Sequence, residues 1–272
     1  MNKAFSSFVI ASALVGALTA GCKTVCKEGE SGGTECVTQS VTQYVGTTKE
    51  ESRTYKAGTP ISIKVEGGNV RLGSTAAQAI VVKRGAPAGT VSVRFTPLNA
   101  DTADNKDKAI QQMNENLSLV ANADDSGVSI TVGRTGTVNS SLTARVDLFV
   151  PDDFAGALSA VSPSGEIYIE NVRHSVTATT SSKVTVLFAG PVAASDSGTL
   201  SGNDVYVDFD QTSSLGMQVQ SGDLHPIVYP NPLPSTWVKS EAAPTSMSFT
   251  ANAGGSVAWQ VKATFDVTIA LH

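Results

Sequence analysis

The chain has 272 residues, with 24 acidic and 19 basic side chains and a net charge of −5. This slightly acidic balance excludes the broad basic surface on which nucleic-acid binding depends, so no nucleic-acid partner is predicted. Aromatic residues make up only 6% of the chain, while glycine, serine, threonine, alanine and valine are abundant. Small and β-branched side chains favour closely stacked β-strands over helices packed through large side chains.

Residues 1–21 have the pattern of a secretory signal peptide, with Lys3 followed by an uncharged apolar run that closes on small residues. The run is short for a membrane-spanning helix, which needs about 20 apolar residues. Cys22 follows directly, and the segment resembles a bacterial lipoprotein leader, in which this cysteine becomes the lipidated first residue. The alternative is an ordinary signal peptide cleaved near Ala20. Lipidation predicts an anchor in the cell envelope, and Lys23 favours the outer membrane.

Residues 22–51 are predicted to form a flexible tether, because they are rich in Thr, Ser, Gly, Gln and Glu and poor in apolar side chains. Cys26 and Cys36 bracket a stretch rich in glycine and glutamate within it. An exported compartment permits disulfides, and closing so short a loop would stabilise the fold by about 2–3 kcal/mol. We predict a Cys26–Cys36 disulfide, with two free thiols as the alternative. Two thiolates make only half a zinc shell, so neither a metal nor a cofactor is predicted.

Residues 52–225 are predicted to form one β-domain. Short segments of alternating apolar and polar residues, of which Ile61 to Val65 is the first clear case, recur between Gly or Pro residues. One short helix interrupts them, with Asp101 or Thr102 as its expected cap. Its apolar residues fall at helical spacing; they are Ala109, Ile110, Met113 and Leu117.

The second half of this region carries a repeat of about 18 to 20 residues, in which a serine- or glycine-rich corner precedes a short alternating strand. The corners begin at Ser164, Ser182, Ser201 and Ser221. A period of this size predicts a β-solenoid, or β-helix, in which each coil buries its apolar edge against the next. Residues 226–272 are then predicted to be a proline-rich loop followed by strands that cap the solenoid and block edge pairing.

The order of these features resembles the bacterial putative-adhesin domain family, whose function is largely unknown. The resemblance covers roughly residues 55–225 and rests on four features in order. They are the Gly-Asn-Val strand near Gly68, a helix that precedes Leu117, the segment 147–151 that leads into the corner at Ser164, and the Ser-Gly-Asn and Ser-Gly-Asp corners at Ser201 and Ser221. The resemblance implies an exported, β-helix-like protein.

Candidate residues for chemistry are few. The histidines, His174, His225 and His272, fit no metal-ligand spacing and no nucleophile motif, so we predict surface or loop histidines and no enzymatic activity. Two tryptophans, Trp237 and Trp259, and also Tyr229 are either ligand platforms or anchors of the loop and cap.

One acidic segment is a candidate ligand face. Its polar residues alternate with apolar ones and therefore share one side of a strand; they are Asp204, Tyr206, Asp208 and Asp210. Carboxylates favour hard cations, and an aromatic ring can stack on a sugar. The alternative is a solvated outer face that resists edge pairing.

These features together predict a non-enzymatic, lipid-anchored protein of the bacterial envelope, whose β-helical surface serves adhesion or another envelope interaction. Its expected partners are the membrane, through the lipid, and an envelope polysaccharide or protein. A carbohydrate-binding or carbohydrate-active β-helix is the first alternative, because β-helices can host sugar chemistry. A structural role in envelope assembly is the second.

Overall fold

A computed structural model describes residues 17–28, 34–66, 71–72, 75–76, 78–102, 105–136, 142–252 and 256–272. Within these ranges the chain is mostly β, with one short helix, α1 (Lys106–Asn116). The strands of the first half are β1 (Ala17–Glu28), β2 (Thr34–Val45), β3 (Lys49–Thr54), β4 (Ile61–Val65), β5 (Arg71–Leu72), β6 (Thr75–Ala76), β7 (Gln78–Ala86), β8 (Thr90–Thr102), β9 (Leu117–Asp124), β10 (Gly127–Arg134) and β11 (Thr143–Pro151). The strands of the second half are β12 (Ala157–Ser162), β13 (Glu166–Glu170), β14 (Ser175–Thr180), β15 (Lys183–Leu187), β16 (Ser197–Gly202), β17 (Asp204–Phe209), β18 (Leu215–Gln220), β19 (Trp237–Ala243), β20 (Ser246–Ala251), β21 (Val257–Ala263) and β22 (Val267–Leu271).

The described strands form two ten-stranded sheets, which we name sheet A and sheet B, and the small pair β5–β6. Sheet A has the order β1-β2-β8-β11-β7-β13-β15-β17-β22, and β3 also pairs with β8. Sheet B has the order β19-β20-β18-β21-β16-β14-β12-β4-β10-β9. Most of the neighbours in the second half of the chain are parallel, which is unusual for a chain with almost no helical crossovers.

The chain alternates between the two sheets from β12 to β18. Strands β12, β14 and β16 pair in parallel within sheet B, while β13, β15 and β17 pair in parallel within sheet A. From β14 to β17 each strand therefore lies beside the strand two positions earlier, whereas β21 lies between β16 and β18 in sheet B. This topology gives both sheets an inward and an outward side along their whole length.

The hydrophobic core lies between the two sheets, because one continuous cluster contains the buried residues of both. The alternation of each strand selects these residues: in β13, Ile167 and Ile169 are buried while their neighbours are half-buried, and in β14 the buried residues include Val176 and Ala178. The two sides of each strand thus serve different purposes, one for packing and one for solvent.

Part of the segment that we predicted as a flexible tether lies in sheet A instead. Residues 34–45 form β2 and residues 49–54 form β3, and both strands pair with the long strand β8. Tyr44 supplies the anchor, because its side chain is buried in a small cluster with Met113 and Leu142 beneath α1. A low apolar content therefore concealed strands that backbone pairing and one buried tyrosine hold in place. Residues 1–16 of the predicted leader lie outside the described residues.

The helix forms where the sequence predicts one, but its limits differ. It begins at Lys106, with Asn105 in the N-cap position, and buries Ala109 and Met113. The expected caps, Asp101 and Thr102, instead belong to β8, which continues to pair with β2 up to Thr102. The apolar stripe also ends earlier than predicted, since Leu117 already starts strand β9.

The C-terminal strands join both sheets. A β19–β20 hairpin forms one end of sheet B, and β22 closes sheet A by pairing in parallel with β17. Part of the free edge of β22 is covered, because Val228 donates its N–H to the Val267 carbonyl at 2.9 Å and accepts from the Ile269 N–H at 2.8 Å. In the part of the chain described above, no helix has both the length and the apolar character needed to cross a membrane.

Candidate ligand-binding face

The predicted ligand face lies on the outward side of sheet A. In β17, Asp204, Tyr206 and Asp208 are half-buried, while Val205, Val207 and Phe209 between them point into the core. Strand β17 therefore has the alternation of outward and core-facing residues that the sequence predicted.

Asp210 lies outside this row, because β17 ends at Phe209 and the chain turns. The Asp210 carboxylate accepts hydrogen bonds from the Thr212 N–H at 2.7 Å and from the Thr212 hydroxyl at 2.6 Å. These bonds stabilise the charged form and lower the pKa of Asp210 below its ordinary value. Asp210 is thus occupied as a turn residue at the corner after β17.

The remaining acids are separated rather than gathered. Asp208 pairs with the His272 ring nitrogen at 3.0 Å, and Asp204 accepts the Asp266 N–H at 3.3 Å. Four residues along a strand place Asp204 and Asp208 about 13 Å apart, which is wider than the spacing of about 5–9.5 Å between paired glycosidase carboxylates. Within the described ranges, no group of three His, Cys, Asp or Glu side chains is arranged to hold a metal ion.

The strand register adds a second aromatic residue to the face. Tyr168 of β13 lies beside Thr185 of β15, Thr185 lies beside Tyr206 of β17, and Tyr206 lies beside Thr268 of β22. We name these four residues the tyrosine row. Because parallel neighbours lie about 4.8 Å apart, the two tyrosine positions are about 9.6 Å apart, with a small threonine between them.

An ionic cluster lies next to Tyr168. The Lys83 ammonium group is 2.9 Å from the Glu170 carboxylate and 5.2 Å from the centre of the Tyr168 ring, and the Tyr168 hydroxyl donates to Glu170 at 3.1 Å. The hydrogen bond with Lys83 lowers the pKa of Glu170 and raises the pKa of Lys83. Burial, followed by the hydrogen bond to Glu170, raises the pKa of Tyr168.

A matching arrangement lies next to Tyr206. The Lys183 ammonium group is 6.0 Å from the centre of the Tyr206 ring, and Lys183 lies in register with Asp204. Burial raises the pKa of Glu166 on the neighbouring strand; Lys183 opposes that shift and Asp204 adds to it. Each tyrosine thus has a lysine beside its ring and carboxylates above and below it along the strand.

The fold resembles that of a crystallised bacterial protein. It is a putative cell adhesion protein from Clostridium sporogenes, which is 11% identical and aligns with a TM-score of 0.50 over 83% of this chain and 100% of its own. A putative adhesin from Bacteroides fragilis is 8% identical over 83% of this chain and 97% of its own, with a TM-score of 0.28, below the level of a shared fold. No family model and no curated protein sequence matches the chain.

The predicted cysteine pair lies in the first hairpin. Strands β1 and β2 are antiparallel, and Cys26 lies directly opposite Cys36 in their register. Opposite residues in such a pair have Cα atoms about 4.5–5.5 Å apart, which is within the span of a disulfide. The bridge and the lipidation of Cys22, which also lies in β1, stay predictions.

The other aromatic candidates serve the core. Trp259 is fully buried, with its ring centre 5.5 Å from Phe188 and 5.6 Å from Phe209 in edge-to-face contacts. Trp237 is also buried, and Tyr229 packs against Phe249 at 5.7 Å. Of the two uses that the sequence left open for them, the structure shows the anchoring one.

The histidines occupy exposed corners, each next to an aspartate. His174 lies 3.2 Å from Asp196, and His225 lies 2.9 Å from Asp266. They are surface residues, as the sequence predicted.

Sequence reasoning missed Tyr168 and its ionic neighbours. A signal was present, because Tyr168 and Tyr206 lie two repeats apart in the same phase of alternating segments. The lysine that approaches Tyr168 comes from β7, which precedes the repeat, and only the β7–β13 pairing brings it there.

Proposed function

We propose that this chain is a non-enzymatic protein of the bacterial cell envelope that presents the outward faces of a β-solenoid to a partner, as an adhesin does. The observation that carries the proposal is the series of parallel strands that alternate between sheets A and B. A stack of such windings exposes long flat faces while it buries one side of every strand.

Hydrogen bonds between corners support the solenoid. The Ser181 N–H donates to the Pro163 carbonyl at 3.3 Å, the Asn203 N–H to Ser182 at 2.7 Å, and the Phe265 N–H to Asn203 at 2.8 Å. Each corner therefore binds the corresponding corner of the next winding. The serine- and glycine-rich repeat has a physical reason, since short side chains let successive corners approach closely.

The adhesion role follows by analogy from the fold. The Clostridium sporogenes protein that shares the fold is described as a putative cell adhesion protein. The acids of the predicted ligand face offer no convergent pair for sugar hydrolysis, since Asp204 and Asp208 are about 13 Å apart along β17 and Asp210 is engaged by Thr212 in the turn that follows. Both points favour a binding role over a catalytic one.

A lipid anchor at Cys22 in the outer membrane completes the proposal. Each buried CH₂ of an acyl chain contributes about 0.8 kcal/mol, and more than one chain is needed for a durable anchor. Cys22 lies in β1, and β1 and β22 lie at opposite ends of sheet A. An anchor at this position would leave the windings of β13 to β22 on the side away from the lipid.

The anchor and the adhesive surface can be tested separately. We expect the full chain, produced in a Gram-negative host, to sediment with the outer membrane and to carry acyl mass on Cys22, and the Cys22→Ser variant to be released in soluble form. Membrane association that survives Cys22→Ser would refute the anchor.

For adhesion, beads coated with the purified chain from residue 22 onward should attach to isolated bacterial envelopes or to host cells more than beads coated with heat-denatured chain do. Equal attachment of both kinds of bead would refute the adhesive role. An envelope defect on deletion of the gene, together with that result, would point to the structural role in envelope assembly.

A further inference from the structure

We propose that the tyrosine row on the outward side of sheet A binds an extended, uncharged polysaccharide, whose sugar rings contact Tyr168 and Tyr206; this inference rests on the proposed role as a surface-binding protein and names the ligand class. The row runs across the strands, from β13 through β15 and β17 to β22. A linear polymer that lies along the direction in which the windings stack would therefore meet both tyrosines.

The position of the two tyrosines is the first argument. Two other tyrosines, Tyr44 and Tyr55, are buried, and Tyr229, although half-buried like the two tyrosines of the row, packs its ring against Phe249 of the core. Tyr168 and Tyr206 instead lie on a solvent-facing side, in a chain with few aromatic residues. Thr185 between them is small, so a short side chain separates the two tyrosine positions, which are about 9.6 Å apart across the strands.

The residues on both sides of the row are the second argument. Along each strand, the next outward position lies two residues away, at about 6.6 Å. In β13 these positions hold Glu166 and Glu170, and in β17 they hold Asp204 and Asp208. Carboxylates accept hydrogen bonds from hydroxyl groups, and ammonium groups donate to hydroxyl and ring oxygens. The row thus offers an apolar surface flanked by hydrogen-bonding groups, which matches the apolar and hydroxyl-bearing sides of a pyranose.

Charge selects the class of polymer. These four carboxylates lie near two ammonium groups, those of Lys83 and Lys183. The excess of negative charge repels acidic polysaccharides and nucleic acids. A protein partner is also disfavoured, because the centre of a protein interface is depleted of charged residues, whereas here charges border the tyrosines on both sides.

The test is binding of the purified chain, from residue 22 onward, to an array of oligosaccharides. The neutral set contains chains of glucose, mannose, galactose and N-acetylglucosamine, and the anionic set contains uronic-acid and sulfated chains. We expect binding to members of the neutral set, with an affinity at least about tenfold lower in the variant Tyr168→Ala/Tyr206→Ala. The variant Tyr168→Phe/Tyr206→Phe keeps the rings and should keep most of the affinity.

The matched control is Phe265→Ala, which removes an exposed aromatic ring at a corner outside the row. It should bind as the unaltered chain does, and circular dichroism and thermal unfolding check that each variant is folded. Three results would overturn the inference: no binding to the neutral set, preference for the anionic set, or equal binding by the folded Tyr→Ala variant. If coated beads still attach to envelopes in any of these cases, the adhesive role stands and only the ligand assignment fails.

Discussion

Gly198 is the position where a single methyl group should disturb the core most. It lies in β16 directly opposite Trp259 of β21 in the parallel register. A Cβ atom at Gly198 would lie 2.1 Å from the Trp259 Cζ3 atom and 2.3 Å from Cε3, whereas ordinary contacts begin at 3.4 Å. The indole of Trp259 therefore occupies the space that any other residue at Gly198 would need.

The size of the effect follows from how firmly Trp259 is held. The ring would have to retreat by about 1.3 Å, but Phe188 and Phe209 meet it edge-to-face at 5.5 and 5.6 Å. Trp259 is fully buried, so it has no solvent to move into. Overpacking of a core costs about 1–3 kcal/mol, and we expect Gly198→Ala to lower the free energy of unfolding by about 3 kcal/mol. That is a large share of the 5–15 kcal/mol by which a folded domain is typically stable.

Urea unfolding followed by tryptophan fluorescence measures this loss. With a slope of about 3 kcal/mol per molar urea, Gly198→Ala should lower the midpoint by about 1 M. Gly133→Ala is the matched control, because its Cβ would meet only the rotatable Ser118 hydroxyl, at 3.2 Å, and it should change the stability by less than about 0.5 kcal/mol. In a Trp259→Leu background, Gly198→Ala should cost much less, since contacting residues couple. Equal midpoints for the two glycine variants would refute the packing argument.

Three further predictions address charge, edges and the first hairpin. Burial raises the pKa of Glu166 above its ordinary 4.5, so ionisation of Glu166 destabilises the fold as the pH rises through the folded pKa. Glu166→Gln should therefore raise the urea midpoint at pH 7 but not at pH 4, and equal gains at both pH values would contradict this. Lys239 and Glu241 of the edge strand β19 lie opposite the buried residues Phe249 and Met247 of β20, and such inward-facing charges protect an edge from pairing with other chains. Lys239→Val/Glu241→Val should therefore associate in light scattering, and a variant that stays monomeric at all concentrations would argue against this role. Intact-mass analysis should find Cys26 and Cys36 oxidised in the exported chain, and alkylation of both thiols without reductant would exclude the bridge.

The repeat was readable from the sequence because its signal is local. The alternation at Glu166 to Glu170 and at Asp204 to Phe209 predicts a strand with one apolar side, and the structure has those strands and those sides. The corners beginning at Ser164 and Ser201 mark where the chain leaves one sheet for the other. The alternation within strands and the longer spacing between corners therefore predict most of the strands from β12 to β17.

The first half depends on contacts that are distant in sequence. Strand β4 pairs in parallel with both β10 and β12, and β7 lies between β11 and β13. No short-range pattern encodes which strands become neighbours across such separations. The same limit concealed the strands β2 and β3, whose polar composition resembles that of a linker although they pair with β8.

The two outward faces differ in chemistry, and this difference bears on where a ligand binds. On sheet B, one continuous row across neighbouring strands holds uncharged side chains; it comprises Ser129, Ser62, Ser159, Thr177, Thr199 and Gln260. On sheet A, the tyrosine row holds two aromatic rings instead, while both faces have charged residues in the rows beside these, Lys64 and Lys262 on sheet B among them. Both faces cover the same core, so core stability does not require aromatic rings outside it. Packing of the core thus does not account for the two tyrosine rings, and the Tyr→Ala variants separate the two remaining explanations, which are cross-strand contacts with Thr185 and Thr268 and recognition of a ligand.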